Sequence, residues 1–527
     1  MTATQVPPVS FSHRQILLVL AGIGTGMALA GLDQTIVDTA LPTIVGELGG
    51  INHLSWVVTA YLLTSTVSTP LYGKLSDLYG RRRLFQAAIV IFLIGSALCG
   101  LAQTMLQLIL CRGLQGIGGG GLIAMAFAII GDVVPPRERG RYTGYLAGVF
   151  AVTSVVGPLT GGLFVDHIGW RWIFYVNVPL GIGSLVVTSK LLDLPFITRR
   201  RRIDFEGAAL LVGSVACLLL ALVWGGDQYP WGSATIVGLG VTGAALLVVF
   251  LFWESRRAED PIIPLRLFRN NVVALCSLMV FLLGLAQYGG IVFLPIFLQI
   301  VVGRSATNSG LLLLPLMCGL IVSSVWSGRL IVRSGRYKRY PIIGFGVVTT
   351  VLVLFSTMSR ATPAWTTTAY MFLFGIGMGM VSPVLVTAVQ NAVDRTDLGV
   401  ATSVNTFFRN LGGAFGVGIF GAILNNRLTS ELAHHFASGA SAVGDPKSLL
   451  QSPAAIKALP AATRTGVVES VQSSVTTVFL WAAPLAFTAF VAAWFLRELP
   501  LREHSSLSAG EAADGAVDAL TETAMLH

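Results

Sequence analysis

Apolar runs of 18 residues or more recur along this chain from residue 16 to residue 497, and each can cross the roughly 30 Å hydrocarbon core of a bilayer as a helix. About fourteen such windows can be read, at 16–41, 54–72, 84–103, 106–131, 142–165, 172–192, 206–224, 233–253, 271–300, 309–330, 341–358, 364–389, 400–424 and 475–497. Only 11% of residues are charged, against about 25% in a soluble domain, and mean hydropathy is +0.76, so the bilayer is the natural solvent. The 59 glycines fit the same class, because spanning helices use Gly where backbones approach closely.

An even number of spans puts both termini on one side, and the basic residues choose the side. With the N-terminus cytoplasmic, inner segments hold 25 of the 34 Lys and Arg residues and outer segments seven. Of those seven, Arg427, Lys447, Lys457 and Arg464 lie in one long loop, leaving Arg171, Arg304 and Arg360 in the short loops where the positive-inside bias operates. Arg112 and Arg409 fall inside spans. Residues 425–474, rich in Ala, Ser and Pro, are expected as an extracytoplasmic loop with room for short helices lying on the surface, and 503–527 as a disordered cytoplasmic tail.

Several other functions are disfavoured. The net charge of +9 comes from short clusters between apolar runs, which argues against nucleic acid as a partner. Cys99, Cys111, Cys217, Cys276 and Cys318 lie in apolar segments without a C-x-x-C pair, so neither a disulfide framework nor a metal site is expected. The seven histidines, His434 and His435 among them, are dispersed between spans, whereas a lipid-modifying enzyme should cluster His, Asp or Glu at one membrane face. Gly116 to Gly121 satisfies G-x-G-x-x-G but continues an apolar helix rather than following a strand, and no phosphate-binding G-x-x-x-x-G-K-[ST] loop exists. No cofactor is expected, and an ion gradient is the simplest energy source. The first apolar run is too long for a signal peptide and lacks a cleavage pattern. Arg outnumbers Lys 29 to 5, compatible with a GC-rich bacterial source.

One loop occurs twice. Gly73-Lys-Leu-Ser-Asp77-Leu-Tyr-Gly80-Arg81-Arg-Arg follows the second span, and Gly328-Arg-Leu-Ile-Val-Arg-Ser-Gly335-Arg-Tyr-Lys follows the tenth. Each joins two antiparallel spans on the inner side, where glycines permit a tight turn and basic groups stay at the headgroups. Gly73 to Arg83 resembles the signature loop of the major facilitator superfamily, whose plan is two six-helix halves. A twelve-span member would repeat the loop after span 8, so its place after span 10 implies two extra helices between the halves. The resemblance implies an all-α integral membrane protein of 14 spans: a first half at 1–200, an inserted pair at 201–260 and a second half at 261–502. The second loop departs from the first, with Val332 where an acid matching Asp77 is expected.

Further segments resemble the family's fourteen-span drug:proton antiporter branch. They are Leu32-Asp-Gln-Thr-Ile-Val-Asp-Thr-Ala-Leu-Pro42 in span 1, Leu110-Cys-Arg-Gly-Leu-Gln-Gly116 in span 4, and Gly148 through Gly157-Pro158-Leu-Thr-Gly161-Gly162 in span 5. By this resemblance Gly73, Asp77, Gly80, Arg81 and Asp132 form an inner latch between the halves, with the helix start near Gly399 favouring the Asp77 charge. Gly144, Gly148, Gly157 and Gly161 form two small-x-x-x-small pairs suited to close helix contact.

Asp33 is the sharpest single feature, since a carboxylate inside an apolar span faces a cavity or a partner. At 1.5 Å per residue it lies about 28 Å along its helix from Arg14, and Arg112 about 9 Å below the outer edge of span 4, so the two share a depth. Burial raises a carboxylic acid's pKa and a neighbouring guanidinium lowers it, so geometry sets protonation. Asp33 is expected to take a proton when the cavity opens outward and release it inward, a cationic substrate competing for the carboxylate. Asp38, five residues on, reads as structural. Trp56, Tyr61, Gln299, Asn405 and Arg409 are candidate cavity-lining groups. The expected protein is a monomeric, proton-coupled exporter of small amphipathic drugs, dyes or antibiotics in a bacterial inner membrane, with both termini cytoplasmic. The same cavity suits an endogenous lipid or metabolite.

Overall fold

The computed structural model describes residues 13–48, 54–191, 204–226, 228–256, 261–303, 313–394, 397–435, 456 and 459–501. Among these residues the only strand-like pairing is an isolated bridge between Gly225 and Tyr229, and the rest of the regular structure is helical. The elements are α1 (His13–Leu48), α2 (Leu54–Tyr79), α3 (Arg81–Leu101), α4 (Met105–Val133), α5 (Pro136–His167), α6 (Trp172–Tyr175), α7 (Asn177–Leu191), α8 (Phe205–Trp224) and α9 (Ala234–Arg256). They continue with α10 (Asn271–Ile291), α11 (Phe293–Ile296), α12 (Leu314–Ser334), α13 (Arg339–Ser356), α14 (Ala364–Ala392), α15 (Leu398–His435) and α16 (Ala461–Trp494).

Thirteen helical segments among the described residues are long and apolar enough to cross a membrane. The expected span 54–72 is α2, which is less apolar because it is rich in Ser and Thr. Those hydroxyls are satisfied within the helix: Thr64 donates to the carbonyl of Ala60 at 2.9 Å, Ser65 to Leu62 at 3.1 Å and Thr69 to Ser65 at 2.8 Å. A helix so satisfied can be buried without stranding polar groups. The expected span 172–192 is broken at Val176 between α6 and α7, and the span 271–300 ends in a π-helical turn at Phe297–Val301.

The loop expected at 425–474 is helical at both ends, as continuations of the flanking helices rather than as separate short helices. α15 runs on to His435 and α16 starts at Ala461. Leu428 and Leu432, four residues apart, carry an apolar stripe past the span and pack in one cluster with Val467, Val468 and Val471, while Ser473 hydrogen-bonds Glu431 at 3.0 Å. Residues 436–455 and the tail at 503–527 lie outside the described residues.

Helices α1–α7 pack chiefly among themselves, as do α10–α16, while α8 and α9 pair with each other and α8 also touches α2 and α15. Two larger contacts join the groups, α2 with α15 and α5 with α12. These are the second helix of each group against the fifth of the other, the reciprocity a two-fold repeat produces. At the end bearing Arg81–Arg83, here the basic end, the groups are closed together: Gln390 donates to the carbonyl of Phe127 at 2.9 Å. At the far end of α1, Trp170 donates to Glu47 at 2.8 Å and Arg171 pairs with the same carboxylate. The Arg171 and Trp170 hydrogen bonds hold Glu47 below its ordinary carboxylate range.

Close packing explains the glycine run in α4. A Cβ on Gly118 would lie 2.5 Å from the Phe92 nitrogen, and one on Gly120 2.2 Å from the Ser65 carbonyl oxygen. The run brings α3 and α2 backbone to backbone against α4. Gly120→Leu is therefore expected to destabilise the protein by at least about 1–3 kcal/mol through overpacking, read as a lower melting temperature in detergent. An unchanged melting curve would contradict this packing.

Candidate functional site

Five helices converge on Asp33, which is fully buried in α1. Its Oδ2 accepts from Arg112 Nη1 of α4 at 2.6 Å, and its Oδ1 accepts from Gln115 Nε2 and Asn177 Nδ2, each at 2.8 Å. Arg112 is only 2% exposed and also donates to the carbonyl of Val57 at 3.3 Å and to Gln115 Oε1 at 2.8 Å. Its guanidinium carbon sits 4.3 Å from the centre of the Tyr61 ring, a cation–π contact from α2. Asn177 donates in turn to Ser96 Oγ of α3 at 3.0 Å. The charge pair is thus enclosed in polar neighbours, the condition under which buried ions are tolerated. Both carboxylate oxygens are engaged, so a cationic cargo meets no open face of Asp33 in this conformation.

The sequence reading placed Asp33 and Arg112 at one depth, and the structure pairs them. It passed over Gln115, Ser96 and Asn177. Gln115 stands one turn beyond Arg112 on the same helical face, a signal that spacing could have supplied. Asn177 opens α7 after the break at Val176, and no periodicity announces that break. Asp38 belongs to α1, but its side chain lies outside the described residues.

The expected latch residues also meet. Arg81 pairs with Asp77 at 2.6 Å and with Asp132 at 2.8 Å, and hydrogen-bonds Ser76. Asp77 Oδ2 accepts the backbone N–H of Val400 at 3.2 Å, so the acid sits on the N-terminus of α15, where the helix dipole favours negative charge. Gly80 adopts φ 91 between α2 and α3, a left-handed conformation that suits glycine. Gly73 lies against α15, where an added Cβ would fall 2.3 Å from Ser403 Oγ.

The second copy of the loop is held differently. Gly335 closes α12 with φ 67, and Glu498 accepts from the backbone N–H groups of Tyr337 at 2.8 Å and Lys338 at 3.2 Å. A carboxylate from beyond α16 therefore anchors the loop that lacks an acid at Val332.

In α5, a Cβ on Gly157 would lie 1.9 Å from Thr35 Oγ1, so this glycine admits α1. Gly144 meets Val325 of α12 at 3.0 Å, whereas Gly148 and Gly162 have no neighbour within 4 Å of an added Cβ. The Gly144/Gly148 spacing thus serves contact at its first member only. Gly161 is buried, and the Pro158 side chain lies outside the described residues.

The five candidate cavity residues separate. Tyr61 is buried over Arg112; Trp56 packs on Trp224 with ring centres 5.0 Å apart; Gln299 sits in the π turn. Asn405 is 2% exposed with its Nδ2 unpartnered, and Arg409 is half-buried with Ser382 Oγ at 3.5 Å. A cavity of about 260 Å³ between α2, α8 and α15 is lined by Thr59, Leu62, Leu222, Gly418 and Asn425 among others, and by none of the five.

Many long apolar helices, a reciprocal two-fold contact pattern and buried charges at helix crossings define a polytopic membrane protein of the transporter kind. Residues 23–417 match the model of the Major Facilitator Superfamily, and the chain belongs to that family. It is a transporter and not an enzyme. It is 42% identical over 488 residues to an uncharacterized MFS-type transporter of Mycobacterium tuberculosis, covering 92% of this chain and 70% of that one. It is 38% identical over 476 residues to the multidrug transporter protein MdtP of Bacillus subtilis, covering 87% and 88%, and 34% identical over 525 residues to the efflux pump FUS6 of Gibberella fujikuroi, covering 96% and 93%. The proton:xylose symporter XylE shares the fold with a TM-score of 0.59 at 14% identity, covering 95% of this chain and 99% of that one.

Proposed function

We propose that this chain is a proton-coupled antiporter exporting small lipophilic or cationic compounds by alternating access between two six-helix halves, residues 1–200 and 261–502. Residues 201–260 form the inserted pair, and α2 with the thirteen apolar segments makes fourteen spans. Both termini face the cytoplasm of a bacterial inner membrane, as the basic residues favour. The single observation that carries the reading is the enclosed Asp33–Arg112 pair: an ionisable group buried this deeply in a membrane protein is a functional site by default. Two relatives, a multidrug transporter and an efflux pump, support export.

In this reading the contacts of Asp77, Arg81 and Asp132 at the basic end act as the latch, while Asp33 is charge-paired with Arg112. Opening and closing of the halves exposes the Asp33 cluster first to one side of the membrane and then to the other. A proton taken up from one side and released to the other then drives cargo the opposite way. Proteoliposomes holding the purified chain test this with an imposed pH gradient and ethidium. Ethidium should move against the proton flow, and a protonophore should stop it. Ethidium movement that ignores the pH gradient would refute proton coupling.

A further inference from the structure

Among the described side chains well inside a span, the charges do not balance. Asp33 and Arg112 cancel, and the remaining charge among the described residues well inside a span is Arg409 of α15. No described carboxylate lies within ion-pair distance of it, and its one hydrogen bond is a long contact of 3.5 Å to Ser382 Oγ of α14. It is half-buried, as are Ser382 and Tyr288 of α10 beside it. Tyr288 lies against α15, where an added Cβ on Gly413 would fall 2.5 Å from its ring, and α15 packs on α2 and α4, the helices that carry Tyr61 and Arg112. One turn before Arg409 on the same face, Asn405 is 2% exposed and its Nδ2 donor has no acceptor. An unpaired guanidinium and an unused amide donor side by side in a low-dielectric region form an acceptor-seeking pair, and a carboxylate matches a guanidinium with two parallel hydrogen bonds.

We propose that Arg409 and Asn405 anchor an anionic group of the cargo, so that among lipophilic compounds this transporter prefers those carrying a carboxylate. The proposal rests on the reading that cargo passes between the two halves, and it names the chemistry that the second half recognises there. The Asp33 side handles the proton and the Arg409 side holds the cargo's negative charge.

Two dyes that differ only by esterification provide the test: rhodamine 110, a free carboxylic acid, and rhodamine 123, its methyl ester. Binding of each to the full chain in lipid nanodiscs is read by fluorescence anisotropy, with empty nanodiscs subtracted. The acid should bind about tenfold or more tightly than the ester, the range of a charge-assisted hydrogen-bonded pair. Arg409→Gln should bring the ratio close to one, Arg409→Lys should keep part of it, and Asn405→Ala should lower it several-fold. Equal binding of the two dyes by the unmodified chain would overturn the proposal, as would an undiminished ratio in Arg409→Gln. The unmodified ratio and the Asn405→Ala variant decide the matter even if Arg409→Gln does not fold. Because binding needs no gradient, failure of proton coupling in proteoliposomes and failure of this ratio are separate results.

Discussion

Asp33→Asn should abolish proton-driven export while leaving a protein that still reaches the membrane. The amide keeps an oxygen for Arg112 Nη1 but cannot carry the negative charge, so a guanidinium that is 2% exposed loses its counter-ion. Removing one partner of a buried pair costs about 3–5 kcal/mol, which is roughly a hundred-fold or more on any equilibrium that needs the intact cluster. A lower melting temperature is therefore expected beside the loss of transport. The double variant Asp33→Asn with Arg112→Gln separates the two effects, because removing both charges relieves the uncompensated ion. Stability should largely return, and gradient-dependent dye efflux should not. Restored efflux in the double variant would mean that the pair only holds helices together, and the coupling role would have to be given up.

How far this cluster could be read from sequence depends on what kind of information placed each member. Asp33 and Arg112 were legible because a charge in an apolar run stands out and helical rise gives its depth. Arg409 stands out just as sharply, yet rise and period say nothing about which intramembrane cation meets an acid, and the structure pairs only Arg112. Ser96 and Asn177 are ordinary polar residues until the break at Val176 and the crossing of α3 and α7 bring them to Asp33. The repeated loop was legible as a repeat, but its anchor Glu498 lies 161 residues from Tyr337, a separation no local pattern bridges. The extension of α15 and α16 past their expected ends was missed because Ala-, Ser- and Pro-rich composition suggests a loop. The apolar stripe of Leu428 and Leu432 finds its partners only when both helices are present.

Closure of the basic end should fail in Gly73→Val. An added Cβ at this position falls 2.3 Å from Ser403 Oγ, 2.5 Å from Ser403 Cβ and 3.0 Å from the Gly399 carbonyl oxygen. Ser403 belongs to α15 and its Cβ cannot rotate away, so α2 and α15 must part. Parting them pulls Asp77 off the Val400 N–H and away from the positive end of α15. Spin labels at Tyr79 and Arg339, both exposed at this end, should report a longer distance in the variant, and coupled export should be lost. Asp77→Asn tests the same closure more gently, since it fills no space and removes only the charge facing Arg81 and the helix start. A shift of about 1–2 kcal/mol against closure follows, visible as a partial change in the same distance distribution. Should both variants keep the unmodified distances and the unmodified export rate, the Asp77–Arg81–Asp132 cluster would be a topological fixture of the loop, and alternating access would need a different lock at this end.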